Sequence, residues 1–156
     1  MQHSRLIGYI LGLLNDFRIS YALLGVSGIE GRKFAGLADF LVDESKAELV
    51  RGILVEDDFT VHERWQGFSQ YSPPDKDNCL FGFWEAEDQC LAGILSRAQE
   101  KPLGRISVFQ PKTEDQIVAC FKAVRHEKSL KSRLYLMIEE LVRESRDIDA
   151  GVMAEC

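Results

Sequence analysis

The sequence predicts an α/β protein: a small mixed sheet of about five strands, flanked by helices, with a helical C-terminal part. Three observations favour this. Short apolar runs are typical of buried strands, apolar residues at three- and four-residue spacing are typical of amphipathic helices, and the two patterns alternate along the chain. At 156 residues the chain is long enough for one domain with a substantial core. We expect a single domain over residues 1–146 and a flexible tail over residues 147–156.

Each element has its own local signal. The predicted strands are short runs of apolar or alternating residues: 19–24, 37–42, 59–65, 79–84 and 106–109. The predicted helices carry an apolar stripe and, in several cases, a capping residue: 4–17, 45–55, 88–98, 113–124 and 129–145. Ser45 and Glu48 have the spacing of a capping box. The proline-containing stretch 66–78 is expected to be the longest irregular connection.

The net charge of the chain makes some classes of binding partner unfavourable. A net charge of -6 and a pI near 5.1 argue against duplex DNA or an anionic membrane as the main partner, because such binding depends on clustered cations. One basic cluster stands out near the predicted last two helices: Lys122, Arg125, His126, Lys128, Lys131 and Arg133. It favours either an RNA-contacting role or the ordinary enrichment of cations at helix ends. We do not expect nucleic acid to be the main partner.

The four cysteines are scattered and form no C-x-x-C pair, which excludes zinc-ribbon and thioredoxin-type motifs. We expect reduced, mostly buried thiols. The apolar N-terminal stretch is interrupted by Asn15, Asp16 and Arg18, too early for a bilayer crossing, and no cleavage-site pattern follows it. We therefore expect a cytoplasmic location and no membrane partner.

A glycine-rich turn follows the first predicted strand and reads GVSGIEG. Glycine allows close backbone approach, so successive N–H groups here can point at an anion such as a phosphate. The spacing matches neither the dinucleotide motif nor the P-loop, and a plain turn is the alternative. The candidate nucleotide-binding residues are Gly25, Ser27, Gly28, Arg32 and Lys33.

Asp39 interrupts the second apolar strand. A carboxylate in such a strand has to be solvated at the end of the sheet, paired, or bound to a cation, because burying a bare charge is costly. Asp39 is therefore a candidate metal ligand and the residue to test first. The alternative is an acid at a strand edge that faces water, and the sequence leaves both open.

The order of these elements resembles the small nucleotidyltransferase fold, and two stretches carry the resemblance: Tyr21-Ala22-Leu23-Leu24-Gly25 and Leu37-Ala38-Asp39-Phe40-Leu41-Val42. In that family, which includes the polymerase beta-like and minimal nucleotidyltransferases, a glycine pair or Gly-Ser after the first strand holds the triphosphate. A D-x-D on the second strand binds two magnesium ions, and a carboxylate on a later strand activates the acceptor hydroxyl. The resemblance thus implies Mg²⁺ and a nucleoside triphosphate as cofactors.

The chain departs from that pattern in its acids. Leu37 stands in place of the first aspartate, and the strand 79–84 has no aspartate where the third carboxylate belongs. The resemblance leaves Asp39 and Glu85 as the candidate catalytic residues, although Glu85 comes slightly late, and Glu63 is on a neighbouring strand. Two-metal chemistry needs several carboxylates. The first hypothesis is a degenerate, catalytically impaired member that binds or regulates a protein partner. The second is an active nucleotidyl- or phosphoryltransferase in which Asp39 shares a metal with Glu85 or Glu63.

Overall fold

The computed structural model describes residues 2–26, 38–65, 67–76, 79–126 and 142. Helices and strands alternate in these ranges, as the apolar patterns predict, and a short 3₁₀ turn at Glu44–Lys46 precedes the second helix. The helices are α1 (Gln2–Asp16), α2 (Ala47–Glu56), α3 (Gln89–Arg97) and α4 (Thr113–His126). The strands are β1 (Tyr21–Val26), β2 (Ala38–Asp43), β3 (Thr60–Trp65), β4 (Phe68–Ser72), β5 (Phe81–Ala86), β6 (Gln99–Leu103) and β7 (Ile106–Gln110).

Five strands form a mixed sheet in the order β1-β2-β5-β4-β3. β2 and β5 run parallel, which requires a long crossover between them, and the other neighbours are antiparallel. β6 and β7 form a separate antiparallel hairpin. The predicted mixed α/β architecture is therefore confirmed.

The sheet separates two apolar clusters, because successive side chains of a strand point to opposite faces. One cluster joins α1 and α2 to the face that carries Tyr21, Phe40 and Phe83, and it includes Val108 of β7. The other joins α3 and α4 to the face that carries Leu41. The strands β2 and β5, covered on both faces, read as the apolar runs seen in the sequence.

The stretch 66–78, expected to be irregular, contains the strand β4, so that prediction is wrong there. Its residues Ser69, Gln70 and Ser72 are polar but buried, and no hydrophobic alternation marks them. β4 is a strand because it pairs with β3 on one side and β5 on the other, which satisfies its backbone groups. The sequence prediction also missed β6, which contains Pro102 and pairs with β7 through a turn at Gly104, φ +62°.

The second helix does not begin with the predicted capping box. Asp43 caps the 3₁₀ turn instead: its Oδ1 accepts hydrogen bonds from the Ser45 backbone N–H at 2.9 Å and the Ser45 hydroxyl at 2.6 Å. The third helix does begin as predicted, since the Asp88 carboxylate accepts from the Leu91 N–H at 2.8 Å.

The cysteine predictions have a mixed outcome. Cys79 is a buried free thiol, as expected. Cys90 is disulfide-bonded, so the expectation of reduced thiols is wrong at this position. Among the described residues no helix is both long and apolar enough to cross a membrane. The predicted last helix and the tail lie outside the described residues, Val142 apart, and the cytoplasmic location stays a prediction.

Candidate functional site

Asp39 lies in the interior of the sheet, on the face covered by α3 and α4. Its exposed fraction is 0%. The Trp84 indole Nε1–H on the neighbouring strand donates a hydrogen bond to Asp39 Oδ1 at 3.1 Å. The strand-edge alternative, an acid facing water, is therefore wrong. Asp39 is a buried acceptor that satisfies the indole N–H of Trp84.

Gly82 is the register partner of Asp39 on the parallel strand β5. A Cβ added at Gly82 would overlap Asp39 Oδ1, and it would lie 3.2 Å from Asp39 Cγ and 3.0 Å from Phe68 Cε2. The Asp39 carboxylate therefore occupies the space that a side chain at position 82 would need. In the family that the sequence resembles, this part of the strand would carry the third carboxylate.

Trp84 completes this buried group. It follows Gly82 by two residues, so both are on the face of Asp39. Its ring centroid lies 4.2 Å from that of Phe68, and only 6% of the residue is exposed. No sequence pattern identified Trp84 as a partner of Asp39. The available signal was chemical: a buried tryptophan N–H requires an acceptor, and Asp39 is a carboxylate in another apolar strand.

Gly25 lies beside Asp39. The two residues are register partners in the antiparallel pair β1 and β2, next to an irregularity in the pairing between Leu23 and Gly25. The structure thus brings together two of the predicted site residues, the glycine after the first apolar run and the acid of the second strand. The other predicted nucleotide-binding residues lie outside the described residues: Ser27, Gly28, Arg32 and Lys33.

Glu85 does not lie next to Asp39 in the sheet. It pairs with Val42, three residues farther along β5 than Gly82, which is about 10 Å at the rise of a strand. By strand alternation it also points to the opposite face of the sheet. Burial, together with the nearby acids Glu87 and Glu44, raises the pKa of the Glu85 carboxyl above its usual value. The side chain of Glu63, the other acid considered, lies outside the described residues.

The described residues do not fit a pair of magnesium ions at Asp39. They contain no group of three or more His, Cys, Asp or Glu side chains placed to hold a metal. Magnesium usually keeps several waters and an octahedral shell of oxygens, whereas the described neighbours of Asp39 on β5 are a glycine and an indole N–H. The role of Asp39 as a metal ligand stays a prediction.

The basic cluster is described only in part. Lys122 Nζ forms an ion pair with Asp88 Oδ2 at 2.6 Å. Burial opposes ionisation of Asp88, but the Leu91 N–H and the Lys122 ammonium outweigh it and lower the pKa of this carboxyl. Lys122 therefore fixes α4 to the start of α3. The side chains of Arg125 and His126 lie outside the described part of the structure. So do the other members of the cluster, Lys128, Lys131 and Arg133.

Comparisons with known proteins support the fold independently of these residues. No family model matches the chain, and no curated protein matches it. Seven chains of solved structures do match, and two of them illustrate the likeness. The lincosamide antibiotic adenylyltransferase LnuA, solved with lincomycin bound, is 14% identical with a TM-score of 0.55, over 89% of this chain and 96% of that one. The antibiotic-resistance factor ANT(2'')-Ia is 15% identical with a TM-score of 0.58, over 99% and 90%. Both are nucleotidyltransferase-fold enzymes, and we conclude that this chain has the nucleotidyltransferase fold.

Proposed function

We propose that this protein keeps the nucleotidyltransferase fold without efficient two-metal nucleotidyl transfer, and acts as a binding or regulatory module for another protein. The observation that carries the proposal is the position of Asp39. Its carboxylate is buried above Gly82 and bound to Trp84 Nε1. A carboxylate in this position is a structural hydrogen-bond acceptor of the core.

Two-metal catalysis needs more metal ligands than Asp39 can supply. Two metal ions about 3.5–4 Å apart need several carboxylates around them to bind the metals and offset their charge. Asp39 would have to leave Trp84 and turn toward solvent to join such a set. A third acid at Gly82 would find its space already filled by Asp39. The retained acid and the missing one are thus explained by the same packing.

The experiment measures nucleotide binding and transfer together. We expect that Mg²⁺ with each of the four common nucleoside triphosphates will give no magnesium-dependent rise in Tm and no release of pyrophosphate. A ligand at 100 times its Kd would stabilise the native state by about 2.7 kcal/mol. For a chain of this size that corresponds to a rise in Tm of roughly 5–10 °C, which is readily detected.

Asp39→Asn distinguishes a protein that no longer binds Mg-nucleotide from one that binds it through Asp39. The exposed acid Asp58 is the matched control position. Each ligand-induced shift is measured against the Tm of the same variant without ligand, which removes the effect of the substitution on stability. The proposal is wrong if Mg-nucleotide raises the Tm of the wild type and of Asp58→Asn but not that of Asp39→Asn.

The second candidate function is an active Mg-dependent nucleotidyl- or phosphoryltransferase with an atypical set of acids. The adjacency of Gly25 and Asp39 favours it, because a glycine-rich strand end beside an acid is the arrangement expected of a phosphate and metal site. The separation of Asp39 from Glu85 argues against it. Pyrophosphate release that Asp39→Asn abolishes would establish this candidate.

The proposed partner is a protein because large apolar side chains are exposed on and beside the first two helices. Phe17 is 48% exposed, and on α2 Leu49 is 40% and Val55 48% exposed. Each of these side chains offers apolar area that a protein partner can bury on binding. We expect the double variant Leu49→Lys/Val55→Lys to lose a bound protein that the wild type and the control Glu56→Gln retain in affinity capture. Equal retention by all three would contradict a role of these two side chains in binding.

A further inference from the structure

We propose that the chain carries a ligand site, at the opposite end of the sheet from Asp39, for a small organic anion with an aromatic or apolar body. The site is a cleft of about 800 Å³ that is lined by the end of α1, the start of β1, the end of β2, α3 and β7. This volume is within the range of small-molecule sites in proteins. The proposal is independent of any chemistry at Asp39.

The cleft is well separated from the Asp39 group. Tyr21, which lines it, pairs with Val42, whereas Gly25 pairs with Asp39 at the other end of the same two strands. Four residues of strand correspond to roughly 13 Å. A ligand in the cleft would therefore leave Asp39 and its neighbours untouched.

The apolar body of the ligand is inferred from the lining. Leu14, Ile19 and Tyr21 are buried residues that line the cleft. Phe109 is 40% exposed and packs edge-on against Tyr21, with ring centroids 5.7 Å apart. An exposed phenyl ring held by a buried aromatic offers a face on which a ligand ring can stack.

The charge of the ligand is inferred from two cations. Arg18 and Lys46 both line the cleft, and within the described ranges neither forms an ion pair with a carboxylate. The acid of the cleft, Asp43, is already engaged by the Ser45 hydroxyl and backbone N–H. These bonds lower the pKa of Asp43, to which Lys46 adds a smaller effect. The cleft thus holds two cations and one acid that is already hydrogen-bonded. We therefore expect the ligand to carry an anionic group such as a phosphate or carboxylate.

The backbone at Arg18 is a separate observation that points to the same residue. Arg18 has φ 54°, in the left-handed region, at the turn that ends α1. Its N–H donates to the Asn15 carbonyl at 3.1 Å, and the Ile19 N–H donates to the Leu14 carbonyl at 2.8 Å. Glycine adopts this conformation at helix ends with the least strain. An arginine here carries a conformational cost, which its side chain at the cleft would explain.

Phenyl phosphate is the probe, and benzyl alcohol is its neutral counterpart. We expect phenyl phosphate to shift the amide NMR signals of Tyr21, Ser45 and Ala92 saturably, whereas benzyl alcohol at the same concentration leaves them in place. Lys46→Gln should raise the Kd at least fivefold, and the exposed control Lys112→Gln should not change it. Ala92→Trp should abolish binding by filling the cleft, whereas Gln89→Trp on the same helix should not.

Arg18→Gly separates a ligand role from a structural one. We expect it to raise the Tm, because glycine relieves the left-handed strain, while it raises the Kd for phenyl phosphate at least fivefold. A lower Tm would mean that Arg18 is kept for stability, and this result would overturn the proposal. Unchanged affinity in both Arg18→Gly and Lys46→Gln, or cleft signals that do not respond to the probe, would overturn it as well.

Discussion

Gly82→Ala should lower the free energy of unfolding by about 3 kcal/mol, at the upper end of what one added methyl group costs in a packed core. The new Cβ would overlap Asp39 Oδ1 and crowd Phe68, whose Cε2 lies 3.0 Å away. Both neighbours are fully buried or nearly so and have little room to move. Urea denaturation of the two proteins measures the difference.

A double-mutant cycle identifies the cause of this loss. Asp39→Ala alone should be destabilising, by about 1–3 kcal/mol, because it removes a buried acceptor from Trp84 Nε1. In the Asp39→Ala background, Gly82→Ala should cost at least about 1 kcal/mol less than in the wild type, since the clashing oxygen is gone. Gly52→Ala is the control: no atom lies within 4 Å of its new Cβ, so the substitution in α2 should be neutral or stabilising. Additive losses at Asp39 and Gly82 would contradict the proposed packing.

This cycle also bears on function. If position 82 accepts a side chain only when Asp39 is shortened or displaced, an inward Asp39 and a third carboxylate at position 82 exclude each other. The loss of the third acid then follows from the same arrangement that buries Asp39. The cycle thus tests by stability alone the packing that supports the proposed loss of two-metal transfer.

The sequence predicted the sheet well where burial leaves a local signal. The apolar runs that became β1 and β2 are covered on both faces, and continuous hydrophobicity is the expected pattern of such strands. The same pattern made Asp39 conspicuous. Its partner could not be predicted, because the pairing of Asp39 with Gly82 depends on a parallel crossover that no local pattern fixes.

Two other features, β4 and the cleft, could not be predicted from local sequence patterns for related reasons. β4 carries buried Ser69, Gln70 and Ser72, whose place in the sheet is decided by pairing on both sides, while composition alone favours a loop. The cleft brings together residues from Leu14 to Phe109. Such a site can be recognised only in the folded structure, where the ends of elements that are distant in sequence lie together.

The ion pair of Asp115 and Arg97 is the second place where we expect a large loss of stability. Asp115, in the first turn of α4, is 0% exposed, and it accepts from Arg97 Nη2 at 2.9 Å and Nε at 3.2 Å. The pair fixes α4 to α3 on the sheet face that holds Asp39. Because 39% of the Arg97 side chain remains exposed to solvent, its guanidinium loses only part of its hydration in this pair.

The two partners should therefore respond unequally. Asp115→Asn should lower the free energy of unfolding by about 2 kcal/mol, through the loss of the charge-assisted bonds. Arg97→Met should cost about 3 kcal/mol or more, because it deprives a fully buried carboxylate of its guanidinium. The double variant Arg97→Met/Asp115→Leu should recover a large part of this loss, since a well-packed apolar pair can replace a buried ion pair. The exposed Arg105→Met should change stability by less than about 0.5 kcal/mol. Equal losses at Arg97 and Asp115, with no recovery in the double variant, would mean that the buried charge is not what α3 and α4 depend on.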